Sequence, residues 1–195
     1  MHITKGAING HPNVGLFGFV THGQFLCGAK LRTKQRKLFE EVLGAKYRRV
    51  RIAGTDLPGV MLVGNSKRML IPGIVFDMEI DIIDQAEIPY AIFNTQLTCL
   101  GNNIVCNDDG AVVSTEFSEG EVKKISELLG VPVAQSDIAG LTTPGAVIVV
   151  HGTKAIIHKD ASEAEVKLVE KTLKVDVSPA TVNLGGSHLR AGILN

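Results

Sequence analysis

CLGNNIVCN, residues 99–107, sets a glycine (Gly101) six positions ahead of a polar residue (Asn107), with an apolar run between them. The same pattern stands in NVGLFGFVT (13–21), LPGVMLVGN (57–65) and TPGAVIVVH (143–151), pairing Gly15 with Thr21, Gly59 with Asn65 and Gly145 with His151. LRAGILN (189–195) reads as a fifth copy, and the polar position then recurs at 21, 65, 107, 151 and 195, in steps of 44, 42, 44 and 44. A period in this range marks stacked supersecondary units, each unable to bury its apolar face alone. The glycines themselves predict tight turns, needing either positive φ or close backbone approach.

Outward from each glycine the same elements recur. In the three middle units a second apolar run follows, MLIP (69–72), AVVS (111–114) and AIIH (155–158), separated from the first by turn residues such as Asn107-Asp108-Asp109-Gly110, which predicts a β-hairpin. Ser118 with Glu121, and Ser162 with Glu165, form capping boxes ahead of helically spaced apolar residues (Val122, Ile125, Leu128, Leu129; Val166, Val169, Leu173). Equivalent helices fit Thr33 to Leu43 and Phe76 to Ala86. Each unit is expected to finish on an extended stretch: Arg48 to Ala53, Tyr90 to Asn94, Val131 to Ala139 and Val175 to Asn183. Ile8, Ile52 and Ile138 each stand seven residues before a unit's glycine. Ile3 to Gly10 therefore reads as the last strand of a unit begun at the other end of the chain, closing a ring and removing two sheet edges.

Five such units in a closed ring is the pentein architecture. LGNNIVCNDDGAVVS (100–114), VRIAGTDLPGVMLVGN (50–65) and ATVNLGG (180–186) resemble the corresponding stretches of the archaeal and eukaryotic translation initiation factor 6 family. The resemblance implies an α/β pentein: a five-bladed, propeller-like closed ring with pseudo-fivefold symmetry, forming one domain over 1–195. Its repeats would fall at about 11–54, 55–97, 98–140 and 141–186, with an incomplete fifth at 187–195 and residues 1–10 closing the ring. By the same arithmetic the fifth unit stops roughly 30 residues short. This leaves open a longer protein and a shortened member; the latter would have an open ring side, with low stability or self-association.

The family further implies a cytoplasmic, monomeric, non-enzymatic factor without cofactor. It would bind the large ribosomal subunit beside the sarcin-ricin loop, touching ribosomal proteins and ribosomal RNA, and block joining of the small subunit. It would support large-subunit maturation and be released by a GTPase with its partner. By resemblance the ribosome-binding residues are Gly15, Leu57, Gly59, Val60, Gly101 and Asn102, in turns at one end of the ring. Asn102 is the strongest of these. Val60 departs from members that carry a basic residue at its position.

Other classes find less support in the residues. With 20 Lys plus Arg against 20 Asp plus Glu there is no bulk field for a polyanion, so nucleic-acid contact must use a local patch. Basic residues do cluster at Lys30–Lys37 and Lys46–Arg51, where solvated surface or edge-strand protection is the plainer reading. An RNA-only binder is disfavoured by nine aromatic residues and no clamp motif. Cys27, Cys99 and Cys106 form an odd set without CxxC spacing, and His151, His158 and His188 fit no metal spacing, so neither disulfides nor a metal is expected. The alternative function is a pentein hydrolase or transferase acting on guanidino compounds through a Cys nucleophile, with Cys99, Cys106, His151 and Asp108 as its nearest ingredients. Such enzymes take their cysteine from near the C-terminus, where residues 184–195 have none. Asn65 and Asn107 are expected to bond their own turns. No apolar stretch is long enough to span a membrane.

Overall fold

The computed structural model describes residues 3–195. The first unit opens with a one-turn helix α1 (Val14–Phe17), continues as hairpin β1 (Gly18–Thr21) and β2 (Gln24–Cys27), crosses through α2 (Thr33–Leu43) and returns as β3 (Lys46–Arg49). The second repeats it with α3 (Pro58–Met61), β4 (Val63–Gly64), β5 (Met69–Pro72), α4 (Asp77–Asp84) and β6 (Tyr90–Phe93). The third has α5 (Leu100–Asn103), β7 (Ile104–Cys106), β8 (Ala111–Val113), α6 (Glu119–Leu129) and β9 (Val133–Gln135). The fourth has α7 (Pro144–Val147), β10 (Ile148–His151), β11 (Lys154–His158), α8 (Glu163–Leu173) and β12 (Asp176–Ala180), and α9 (Leu189–Gly192) opens a fifth. Each of the four described sheets has three strands, an antiparallel hairpin followed by a parallel return.

The middle strand of each sheet explains the unbroken apolar runs. Leu70 packs into the core between the second and third units, while its neighbours Met69 and Ile71 pack into the core between the first and second. Val112 likewise faces one core, and Ala111 and Val113 another. A strand covered on both faces loses the period-2 signal and reads as a continuous apolar segment. The helices lie over these sheets on the faces their spacing foretold, with Ile125, Leu129, Val169 and Leu173 fully buried.

Both expected capping boxes form: the Ser118 amide donates to Glu121 Oε2 at 2.9 Å, and the Ser162 amide to Glu165 Oε2 at 2.6 Å. Gly44 and Gly130 end α2 and α6 in the left-handed conformation. α4 is shorter than the expected 76–86, running Asp77–Asp84, and the chain leaves it through a turn with Glu87 at φ 54°.

The returning strands are also shorter than expected, and β3 begins two residues before the expected Arg48. β3 ends at Arg49 because β2 offers only Gln24–Cys27 as partners. The chain then turns tightly: Ile52 bridges Thr55 across Ala53 and Gly54, both at positive φ. Ile138 and Leu141 do the same across Ala139 and Gly140, and Ile8 and His11 across Asn9 and Gly10. The three isoleucines set seven residues ahead of the glycines are therefore wholly buried bridge residues. Residues 3–7 form no strand, which corrects the expectation for Ile3 to Gly10. In the other units the return pairs with the second hairpin strand of its own unit; the unit opened by α9 has no such strand among the described residues.

Candidate ring-end surface and axial cavity

The five one-turn helices form the centre of the molecule. α1 packs on α3, α3 on α5, α5 on α7, α7 on α9, and α9 on α1. Their second residues are Gly15, Gly59, Gly101, Gly145 and, in the fifth, Arg190. A Cβ on Gly59 would collide with Gly15 O and come within 2.6 Å of Gly18 O. On Gly101 it would collide with Gly59 O and lie 2.7 Å from Leu62 O and 2.9 Å from Val60 O. None of these glycines has positive φ, so close approach of neighbouring helix backbones alone requires them. The expected tight turns are therefore helical turns, in which Gly15, Gly59 and Gly101 are buried.

The site residues drawn from the sequence divide accordingly. The three glycines hold the helices together and present no side chain. Val60 and Asn102 occupy the third helix position, half-exposed, together with Leu16 and Ala191; Ala146, their equivalent in α7, is buried. Asn102 makes no side-chain hydrogen bond to another described residue, whereas the adjacent Asn103 is buried and donates from Nδ2 to Cys99 O at 3.0 Å. Leu57 is the half-buried residue preceding α3. The sequence reading missed Leu16, Ala146 and Ala191, though counting one residue past each glycine finds the first two.

The fifth unit is also one residue out of the expected register. Val182 bridges Gly186 across three left-handed residues, Asn183, Leu184 and Gly185, where the other bridges span two. Asn195 is therefore level with Val20, Gly64, Cys106 and Val150, not with Asn65 and Asn107, and these five residues line an axial cavity of about 130 Å³. The side chain of Arg190 lies there, its Nε donating to Gly59 O at 3.3 Å and its guanidinium 5.7 Å from the Phe19 ring centroid. Burial pushes the Cys106 thiol up to about 12, against a smaller downward pull from Arg190. A protonated thiol beside a cation is unsuited to attack on a guanidinium substrate.

The expected bonds of Asn65 and Asn107 to their own turns are present, but each side chain also reaches the next unit. Asn65 Oδ1 accepts from Lys67 and Arg68 amides while Nδ2 donates to Leu129 O at 3.0 Å, at the end of α6. Asn107 repeats this, with Nδ2 donating to Leu173 O at the end of α8. A second clasp joins each long helix to the unit before it. Glu79, buried in α4, accepts from the amides of Ala53 (2.7 Å), Gly54 (2.9 Å) and Phe76 (3.1 Å). Glu165 accepts from Ala139, Glu121 from the Thr95 hydroxyl, and Gln35 donates to Ala7 O. Capping glutamates thus double as joints between units.

Among the described residues no cluster of His, Cys, Asp or Glu could hold a metal ion, and no helix is long and apolar enough to cross a membrane. The family model described as the eIF-6 family matches residues 3–195. A protein from Staphylothermus marinus described as translation initiation factor 6 is 32% identical over 198 residues, covering 100% of this chain and 87% of its own. One of the same description from Pyrococcus abyssi is 36% identical over 191 residues, covering 95% and 84%. Among solved structures, an adduct of dimethylarginine dimethylaminohydrolase with S-methyl-L-thiocitrulline superposes with TM-score 0.59 at 12% identity, over 86% of this chain and 68% of that one. At that identity the likeness shows the fold, the expected pentein, and nothing of the activity.

Proposed function

This chain belongs to the eIF-6 family of translation initiation factors, and on that footing we propose that it binds the large ribosomal subunit and keeps the small subunit from joining it. The family is one of initiation factors, not of enzymes. On this reading the chain works in the cytoplasm as a monomer, one domain whose repeats close into a ring. Its bound position beside the sarcin-ricin loop overlaps the surface the small subunit needs. A GTPase with its release partner removes it after large-subunit maturation.

The observation that carries the contact assignment is the row of third-position side chains on the one-turn helices. Leu16, Val60, Asn102 and Ala191 are partly exposed, while the glycines before the first three are closed in by the backbone of neighbouring helices. Asn102 brings both a donor and an acceptor uncommitted within the chain, suited to a polar contact with a ribosomal protein; Val60 and Leu57 add apolar surface beside it. The glycines serve by bringing these helices together.

Co-sedimentation through a sucrose gradient with separated subunits, followed by addition of the partner subunit, tests the reading. Selective pelleting with the large subunit and reduced joining are expected. Asn102→Lys should weaken the binding severalfold with an unchanged circular dichroism spectrum. Unaltered binding by that variant would remove the α5 position from the interface, and a protein that stays at the top of the gradient would refute the function.

A further inference from the structure

The formal charge of zero hides a strong division. Residues 30–51 carry nine Lys or Arg against two Glu, a formal +7, and the rest of the chain balances it with −7. The fold concentrates this stretch further, because α2 and its return β3 bring its two halves together around a surface cleft of about 550 Å³. Lys30, Thr33, Arg36, Lys37 and Arg49 line it, together with Glu40, Tyr47 and the buried Leu31. Thr33, Arg36, Lys37 and Glu40 fall at i, i+3, i+4 and i+7, one stripe along two turns of α2, about 10 Å long.

Its internal bonds leave most of the charge uncommitted. Glu40 is occupied by the Tyr47 amide at 2.9 Å and Arg36 Nε at 3.1 Å, and Arg36 also stacks 5.7 Å from the Tyr47 ring centroid. Among the described residues Lys30, Lys37 and Arg49 form no ion pair. The feature belongs to this unit alone: the position two before the helix cap is Lys30 here, and Ile74, Glu116 and Asp160 in the other three. Acidic residues fill the first turns of α4, α6 and α8, and α2 has none.

We infer that this cleft binds the phosphodiester backbone of folded RNA, through a contact separate from the ring-end surface. That the RNA is ribosomal rests on the function proposed above. The lining favours RNA over a protein partner. Protein interfaces centre on buried apolar or aromatic anchors. Here the one aromatic, Tyr47, is capped by Arg36 and has its hydroxyl engaged with Ala29 O and the Leu31 amide. Cations on flexible stems and a hydroxyl are the groups that hold phosphate oxygens, which favours recognition by backbone and shape. The +7 region also orients the whole molecule toward a polyanion before contact.

The test measures affinity for purified large subunits and for a short RNA duplex across a range of salt. It compares the full chain with Lys30→Ala/Lys37→Ala/Arg49→Ala and with a control, Lys124→Ala/Lys167→Ala, on other units. The cleft variant should lower the slope of log K against log salt by about 2, since each lost phosphate contact removes roughly 0.7 to 0.9. It should also weaken duplex binding by about tenfold or more at low salt, while the control matches the unmodified protein. Unchanged slopes with an intact circular dichroism spectrum overturn the inference and leave subunit binding standing. Cleft-dependent binding of the duplex by a protein that ignores the large subunit upholds the RNA site and sinks the ribosomal function. Cleft-dependent binding of poly-aspartate in preference to the duplex overturns RNA in favour of an acidic protein.

Discussion

Replacing Gly101 by alanine sets two opposed effects against each other. Alanine in a helix is favoured over glycine by about 0.5–1 kcal/mol, and the φ of Gly101 is one that alanine accepts. Against this, the added methyl meets Gly59 O, Leu62 O at 2.7 Å and Val60 O at 2.9 Å, all backbone of the neighbouring unit. Overpacking of this kind costs about 1–3 kcal/mol, and backbone carbonyls cannot swing aside as a side chain would, which puts the cost at the upper end. The net expectation is a loss of about 2 kcal/mol, or about 1 M in the urea midpoint for a slope near 2 kcal/mol/M. Gly120 is the control. It is exposed in the first turn of α6, a methyl added there would meet no atom within 4 Å, and it should gain about 0.5 kcal/mol as alanine. Urea unfolding of both variants gives the answer. If Gly101→Ala is as stable as the unmodified protein, the central helices do not pack as closely as described.

Glu79→Ala removes the acceptor of three backbone amides at a buried joint and should cost about 3 kcal/mol by denaturation; a loss under about 1 would mean that water replaces the carboxylate there. Asn107→Ala should cost about 1–2 kcal/mol by the same measurement, through its lost bonds to the hairpin turn and to Leu173 O, with no change in subunit binding. The hydroxyl of Thr95, and then Ser118, hold the Glu121 carboxyl below its ordinary value. Its folded value is lower than its unfolded one, near 4.3, so its stabilisation is complete above that pH and is lost as pH falls through the folded value. Glu121→Gln should therefore flatten the stability profile on the acid side, and identical profiles would contradict the assignment. Burial pushes Cys27 up to about 11 and Cys106 up to about 12, so both should label slowly with a thiol reagent near pH 7.5 in the native protein and fast in urea. Rapid native labelling of Cys106 would reopen the case for a reactive axial thiol.

Most of the fold is written in local sequence. Ser118 with Glu121 and Ser162 with Glu165 fix two helix starts, Gly44 and Gly130 fix two ends, and the recurring glycine fixes the period, because each demand is met within a few residues of chain. The candidate contact row was half legible: Asn102 and Val60 lie beside the glycines that mark the repeat. Their standing as partly exposed residues beside closely packed glycines depends on carbonyls from the neighbouring unit, more than 40 residues away. The fifth unit's register was misjudged because one extra left-handed residue near Leu184 shifts Asn195 onto the cavity wall, and a polar residue after an apolar run looks the same in either register.

What the sequence by itself determined is the repeated unit and its family. Capping, turn chemistry and apolar spacing act over short range, and the LGN, CND and TVN elements occur in order. What only the tertiary structure decided is what the units do to one another. Glu121 and Asn107 read as a cap and a turn residue until the adjoining unit supplies their second partners. Lys30 and Arg49 read as members of two separate runs of surface charge until α2 and β3 bring them to one cleft. Those roles arise from side chains and carbonyls meeting across unit boundaries, and distance along the chain carries no mark of which groups will meet.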